Sequence, residues 1–217
     1  MSARIFFFFL FISSSLFGQQ KQCGCTTDSL MNEYTTDCKT TYLTNGFRLY
    51  WQFSCNNIWL TLQTKYKKII IDKVPVEYYS YTYRLGFHLL KEFKNSLLFR
   101  EDCPANGPCS YTLINKFTGQ KIKEFGQIVG SPVKNYPYNF VVYLSGANDL
   151  LKIYFPDTGK LLQKHINKND FFYTVPIDQF DSIQLNKGNL LLSYETSSND
   201  GISHKKKIII GISKYSR

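Results

Sequence analysis

Hydrophobic and polar positions alternate over short distances along most of this chain. Short runs rich in Ile, Val, Leu, Phe, Tyr and Thr are bounded by clusters of Asn, Gly, Asp, Pro and Ser. The 3.6-residue spacing of an amphipathic helix is almost absent after the N-terminal region, and only 28–36 and 170–181 suggest a helical turn. This pattern is typical of strands joined by turns, so we expect an all-β protein.

The strand-like runs recur at a regular spacing. Runs that begin at Leu49, Leu97, Val141 and Leu190 each follow a turn signal, and their first residues are 48, 44 and 49 positions apart. A polar loop and a second run follow each of them, and a third run follows the first three. Self-similarity at this spacing indicates repeated structural units. The chain therefore predicts repeated antiparallel sheets in about four units.

Two of the units share a nearly identical turn before their third run. The turns at 115–121 and 155–160 both contain Thr-Gly, and the two glycines are 40 positions apart. Glycine adopts the positive φ that a tight turn requires, and a Thr or Asp side chain hydrogen-bonds back onto the turn. The segment 154–162, in which Asp-Thr-Gly-Lys joins two strand-like runs, resembles the blade hairpin of β-propeller proteins.

The resemblance covers about residues 45–213 and implies a small β-propeller of about four blades. β-Propellers commonly serve as interaction platforms, so it also implies a binding function. The fourth unit reaches Arg217 without room for its last strands. A strand near 40–43 completes this unit if the sheets close into a ring. If they do not close, the fold is a β-sandwich or a half-propeller.

The N-terminal residues have a different pattern. Arg4 precedes an apolar run of about 13 residues that ends at Phe17 and is followed by the small residue Gly18. A membrane-spanning helix needs about 20 apolar residues, so the layout favours a cleaved signal peptide over a retained anchor. We expect a secreted, periplasmic or cell-envelope protein with no transmembrane segment in the mature chain. The predicted divisions are a signal peptide at 1–18, a cysteine-containing segment at 19–44 and an all-β repeat domain at 45–217.

Six cysteines follow the predicted cleavage site, an even number that agrees with export to an oxidising compartment. Cys103 and Cys109 flank a loop rich in Pro, Asn and Gly, which folds the chain back and predicts a disulfide between them. A zinc site lacks the expected spacing and a second Cys or His pair. Disulfides are therefore the favoured interpretation, with the pairing left open for Cys23, Cys25, Cys38 and Cys55.

The formal net charge is +10, which favours acidic partners such as phospholipid head groups, acidic polysaccharides or acidic proteins. Nucleic acid is not expected, because the lysines are scattered and no nucleic-acid-binding module is present. The one lysine run, 205–207, is interpreted as a solvated strand end that guards against aggregation.

No motif for catalysis, cofactor binding or metal binding is found. The three histidines, His88, His165 and His204, have no spacing that would place two imidazoles on one metal. Nucleophile elbows, phosphate loops and dinucleotide fingerprints are missing from the sequence. We therefore predict no cofactor, no metal and no catalytic residue, which leans against an enzyme.

Alternating tyrosines form the best candidate binding site. Tyr79, Tyr81 and Tyr83 share one face if the segment is a strand, and such a row of rings stacks on a sugar or a partner protein. Packing of these rings on a neighbouring sheet is the alternative. The first hypothesis is a secreted, non-catalytic binding module for a protein or a glycan. The second is a secreted hydrolase of an acidic or sugar polymer that uses carboxylates and His88 or His165.

Overall fold

The predicted runs form fourteen strands in the described part of the chain. The computed structural model describes residues 40–54, 56–75, 77, 86–101, 103, 109–126, 128–130, 136–145, 150–173, 175–197 and 203–215. Within these ranges the regular structure is strand, together with short 3₁₀ turns that include Thr44–Gly46, Lys168–Asp170 and Pro176–Gln179. The prediction of an all-β protein is confirmed.

The strands form four antiparallel sheets in chain order, and this confirms the prediction of about four units. The first sheet contains β1 (Thr41–Tyr42), β2 (Arg48–Phe53), β3 (Asn57–Gln63) and β4 (Lys68–Pro75). The second contains β5 (His88–Glu92), β6 (Ser96–Glu101), β7 (Ser110–Asn115) and β8 (Lys121–Phe125). The third contains β9 (Val141–Leu144), β10 (Leu150–Phe155) and β11 (Lys160–His165), and the fourth contains β12 (Phe180–Asn186), β13 (Asn189–Ser197) and β14 (Ser203–Gly211).

The two middle sheets bury side chains on both faces. In β6, Leu97 and Phe99 pack with the first sheet, whereas Leu98 between them packs with residues of the third. In β9, Val141 faces the second sheet and Val142 faces the fourth. Successive residues of a strand point to opposite faces, so a strand with two buried faces must be apolar at every position. This explains why Leu97-Leu98-Phe99 and Val141-Val142-Tyr143-Leu144 are uninterrupted hydrophobic runs.

The first and fourth sheets are the ends of the stack. Their inner faces contribute Leu60 and Leu62, and Leu190 and Leu192, to the clusters shared with the middle sheets. On the opposite face of the fourth sheet, Ile209 is 65% exposed. No hydrophobic cluster of the described residues joins the fourth sheet to the first.

The strand expected near 40–43 forms, but the alternative in which it completes the fourth unit is wrong. β1 pairs with β2 of its own sheet, with Thr41 opposite Leu49. A 3₁₀ turn reverses the chain directly after β1, and Asn45 and Gly46 in this turn both have positive φ. Pairing with a strand six positions away closes a far shorter loop than pairing with the fourth sheet, so the loss of chain entropy is smaller.

A buried ion pair in the second sheet is hydrogen-bonded to the first. Lys116 follows β7 and is fully buried, and its Nζ lies 2.5 Å from Glu92 Oε1 at the end of β5. Glu92 also accepts hydrogen bonds from the backbone N–H and the hydroxyl of Thr44, which belongs to the first sheet's 3₁₀ turn. Lys116 Nζ donates to the same hydroxyl at 2.7 Å. Three segments that are distant in sequence therefore satisfy one buried charge.

The two turns that share Thr-Gly have equivalent roles. Each joins the last two strands of its sheet, and each contacts the preceding sheet. The first brings Phe117 edge-on to Phe47 of the first sheet, with ring centroids 5.6 Å apart. In the second, Asp157 Oδ1 accepts a hydrogen bond from the backbone N–H of Lys94 in the second sheet. The repeated turn thus connects neighbouring sheets.

We expect Gly119→Ala to be more destabilising than Gly159→Ala. Both glycines have positive φ, +72° and +67°, so both substitutions carry a backbone penalty of about 1 kcal/mol. A Cβ on Gly119 would lie 2.6 Å from Ile69 Cγ2, whereas a Cβ on Gly159 meets nothing within 4 Å. The overlap should add about 2 kcal/mol to the loss of unfolding free energy for Gly119→Ala, measured by urea denaturation. Equal losses for the two variants would show that β4 does not pack against this turn.

We expect Glu92→Gln to lower the free energy of unfolding by about 3 kcal/mol, because it leaves the buried Lys116 ammonium without a counter-charge. Glu124→Gln is the matched control, since its partner Lys121 is exposed and such pairs contribute less than about 1 kcal/mol. Chemical denaturation of both variants tests this expectation. A loss as small as that of the control would mean that Lys116 does not depend on Glu92.

The same pair predicts a loss of stability in acid. Burial raises the pKa of Glu92, but hydrogen bonds from Lys116 and Thr44 outweigh that effect and hold the pKa below its usual value of 4.5. The stabilisation is therefore complete above pH 4.5 and decreases as the pH falls towards the native pKa. In a pH series of unfolding free energies, Glu92→Gln should show a shallower decline below pH 4.5 than the wild type. Parallel curves would contradict the assignment.

Candidate functional site

The predicted tyrosine row lies outside the described residues. This applies to Tyr79, Tyr81 and Tyr83, so their role as a binding site stays a prediction. Cys103 and Cys109 form the predicted disulfide, which closes the connection from β6 to β7. Also outside the described residues are Cys23, Cys25, Cys38 and Cys55.

The histidines lie on three different sheets. His88 begins β5 in the second sheet, His165 ends β11 in the third, and His204 is in β14 of the fourth. In the ranges that the structure describes, no three His, Cys, Asp or Glu side chains are grouped closely enough to hold a metal ion. The fold therefore does not bring the candidate histidines together.

A buried carboxylate in the 3₁₀ turn Lys168–Asp170 contacts the fourth sheet. Asp170 accepts hydrogen bonds from the Tyr194 hydroxyl at 2.8 Å and from Lys206 Nζ at 2.7 Å. Burial first, and then the hydrogen bond to Asp170, raise the pKa of the Tyr194 hydroxyl. Lys205 is also paired, with Asp181 at 3.0 Å. Two of the three lysines in the 205–207 run therefore join β14 to acidic groups as well as extending into solvent.

An open cavity of about 310 Å³ lies beside β5. Glu92 is the carboxylate on its wall, and hydrogen bonds keep the pKa of that group low. A general acid in glycoside hydrolysis needs a raised pKa, so Glu92 does not suit this role. The cavity is lined by Leu89, Leu90, Lys91, Glu92 and Tyr136.

The outer face of the first sheet carries an ordered set of aromatic and amide side chains. Leu49, Leu60 and Leu62 point to the second sheet, so the alternate residues of β2 and β3 point away from it. Directly opposite residues on the two strands share a face, which pairs Tyr50 with Thr61 and Gln52 with Trp59. We call this surface the aromatic face; its residues are Tyr50, Gln52, Trp59, Thr61 and Gln63.

Hydrogen bonds hold these side chains in place. Gln52 Oε1 accepts from Trp59 Nε1 at 3.0 Å and from the Thr61 hydroxyl at 2.6 Å. The Tyr50 hydroxyl donates to Gln63 Oε1 at 3.1 Å. A carbonyl oxygen has two lone pairs, so the Gln52 oxygen is saturated and its Nε2 group is left as the donor. The rings and amides therefore have defined orientations.

Cationic residues border the aromatic face. Arg48 lies opposite Gln63 and places its guanidinium 5.5 Å from the ring centroid of Tyr42, which is 72% exposed. On the other side, β4 contributes Lys68 and Lys73, which lie opposite Gln63 and Trp59. The face therefore combines flat rings, amide donors and positive charge.

The sequence pattern predicts these segments as strands but does not reveal the aromatic face. The sequence signal for this face is the alternation in 49–53 and 58–63. There, aliphatic or aromatic residues that point to the core alternate with Tyr, Gln and Thr. Any sheet with one exposed face shows this alternation of apolar and polar residues, so the alternation does not distinguish a binding face from an ordinary solvated one. Only the pairing of β2 with β3 brings Gln52 against Trp59.

The chain matches no protein-family model, and no curated protein is similar to it. The ranges that the structure describes contain no helix that could span a lipid bilayer.

Proposed function

We propose that this protein is a secreted, non-catalytic binding module whose partner, a glycan or a protein, is held on the aromatic face of the first sheet. The observation that supports this proposal is the hydrogen-bonded set on that face, in which Gln52 fixes the positions of both Trp59 and Thr61. Side chains that are ordered before binding lose little conformational entropy when a ligand arrives.

The chemistry of this face favours a glycan over a protein. A sugar ring offers apolar C–H groups that stack on Tyr and Trp rings, and hydroxyls that accept from amide N–H groups. Tyr50 and Trp59 lie diagonally across β2 and β3, a distance of about 7 Å in an antiparallel sheet. Two rings at this distance can contact neighbouring sugars of one glycan chain.

The described carboxylates give the hydrolase hypothesis no specific support. Glu92 and Asp170 are both held in ion pairs with lysines. Their hydrogen bonds satisfy them within the fold. Binding is therefore the function that the geometry supports best.

We expect Trp59→Ala and Gln52→Glu to weaken glycan binding at least about tenfold. Trp59→Ala removes a stacking ring, and Gln52→Glu retains the acceptor for Trp59 and Thr61 while it removes the amide donor. The assay is a microarray of neutral and acidic polysaccharides probed with the whole protein, followed by titration of each polysaccharide that binds. Tyr66→Ala is the control, because Tyr66 is exposed in the turn between β3 and β4, outside the aromatic face.

The melting temperature separates binding from folding. Gln52→Glu preserves the packing of the face, so its melting temperature should stay close to that of the wild type while binding is lost. If both variants bind every polysaccharide as the wild type does, the aromatic face is not the site. Binding of a protein, but of no polysaccharide, through this face would identify the partner as a protein.

A further inference from the structure

Positive charge is concentrated on the last strand of every sheet. These four strands hold nine lysines against two carboxylates, a net charge of +7. The other ten strands hold four basic and four acidic residues, a net charge of zero. Each of the four strands is an edge of its sheet, and we call them the lysine edges. The lysines are Lys68 and Lys73 on β4, Lys121 and Lys123 on β8, Lys160 and Lys164 on β11, and Lys205, Lys206 and Lys207 on β14.

The lysine edges are open to solvent. Among the described residues, five isoleucines and leucines are largely exposed, and four of them lie on these strands, one on each. Their exposed fractions range from 39% to 65%, so one face of each of these strands is open to solvent. The four are Ile70, Ile122, Leu161 and Ile209.

Successive lysine edges lie on neighbouring sheets. Ile69 and Ile71 of β4 contact Gly119, two residues before β8 begins. Lys123 of β8 places its Nζ 5.2 Å from the ring centroid of Tyr154, which pairs with Leu161 of β11. Leu162 of β11 packs against the cluster that the third sheet shares with the fourth. The edges therefore follow one another from sheet to sheet.

Protection against aggregation explains a lysine on an edge strand, because a charged side chain there, most often Lys, prevents pairing with another chain. It does not account for two or three lysines on each of the four edges. All four edges nevertheless have an excess of lysine. Lys121, Lys205 and Lys206 form ion pairs with acidic side chains. In the described part of the chain Lys68, Lys73, Lys160, Lys164 and Lys207 form none.

We propose that the lysine edges bind an acidic polysaccharide that runs from one sheet to the next. The inference rests on the proposed glycan-binding function and names the class of glycan. β4 connects the two surfaces, because Lys68 and Lys73 lie on the same side of the first sheet as Trp59. A small anion would contact one edge only. A long polyanion contacts several edges at once, and each further contact is intramolecular, so affinity increases with chain length.

The test uses dextran sulfate of high molecular weight and a short sulfated dextran oligosaccharide as probes. Titration of the whole protein at low and high salt should give tighter binding to the long chain and a strong decrease with salt. Lys160→Gln/Lys164→Gln/Lys207→Gln should weaken binding of the long chain at least about tenfold and bring it closer to that of the short one.

The matched control removes the same charge elsewhere. Lys94→Gln/Lys168→Gln/Lys187→Gln changes three exposed lysines that lie in turns, and we expect less than about a threefold loss. Equal losses for the two triple variants would overturn the proposal, because net charge alone would then explain binding. Equal affinity for long and short probes would also overturn it. Binding to phosphatidylglycerol vesicles without binding to dextran sulfate would assign the edges to a membrane.

Different variants test the aromatic face and the lysine edges, so the results show which of the two proposals is wrong. If Trp59→Ala abolishes polysaccharide binding while the lysine-edge variant binds dextran sulfate as the wild type does, the proposed function stands and this inference is wrong. If the lysine-edge variant loses dextran sulfate while Trp59→Ala and Gln52→Glu retain every glycan, the edges form the site and the aromatic face does not.

Discussion

Strand β6 of the second sheet and strand β9 of the third have no side that faces water. Leu97, Leu98 and Phe99 in β6, and Val141 and Val142 in β9, are all fully buried. A sheet of this kind needs a partner on each face, because exposing either face would return several large apolar side chains to solvent. The first and fourth sheets supply those partners. The order of the four sheets, and the presence of two end sheets, follow from this requirement.

The interface between the first two sheets adds a polar constraint to this apolar packing. Lys116 is fully buried, and such a charge is tolerated only when its ammonium is paired and hydrogen-bonded. Glu92 and Thr44 meet that condition, but only when the turn after β7, the end of β5 and the turn after β1 are all in place. Hydrophobic contacts tolerate small shifts between sheets. This arrangement does not, and it therefore fixes the relative position of the two sheets.

Both proposed binding surfaces occur where a sheet lacks a further neighbour, on its face or along its edge. The aromatic face exists because the first sheet has a neighbour on one side only among the described residues, which leaves Trp59 and Tyr50 beside polar groups instead of a second core. The lysine edges exist because a meander leaves the last strand of each sheet without a further partner. A ligand that bound both would contact the first sheet broadly and the other sheets along their edges.

Local pattern by itself determined the strands, the four units, the turns with Thr-Gly and the disulfide between Cys103 and Cys109, because each depends on residues close together in the chain. Tertiary structure alone decided the pairing of β1, the burial of Lys116, the aromatic face and the gathering of positive charge on the edges. Along the sequence the lysines look scattered, since those of one edge are about forty or more positions from those of the next. Folding places them on the last strand of every sheet. A function that depends on this placement therefore has no recognisable pattern in the sequence.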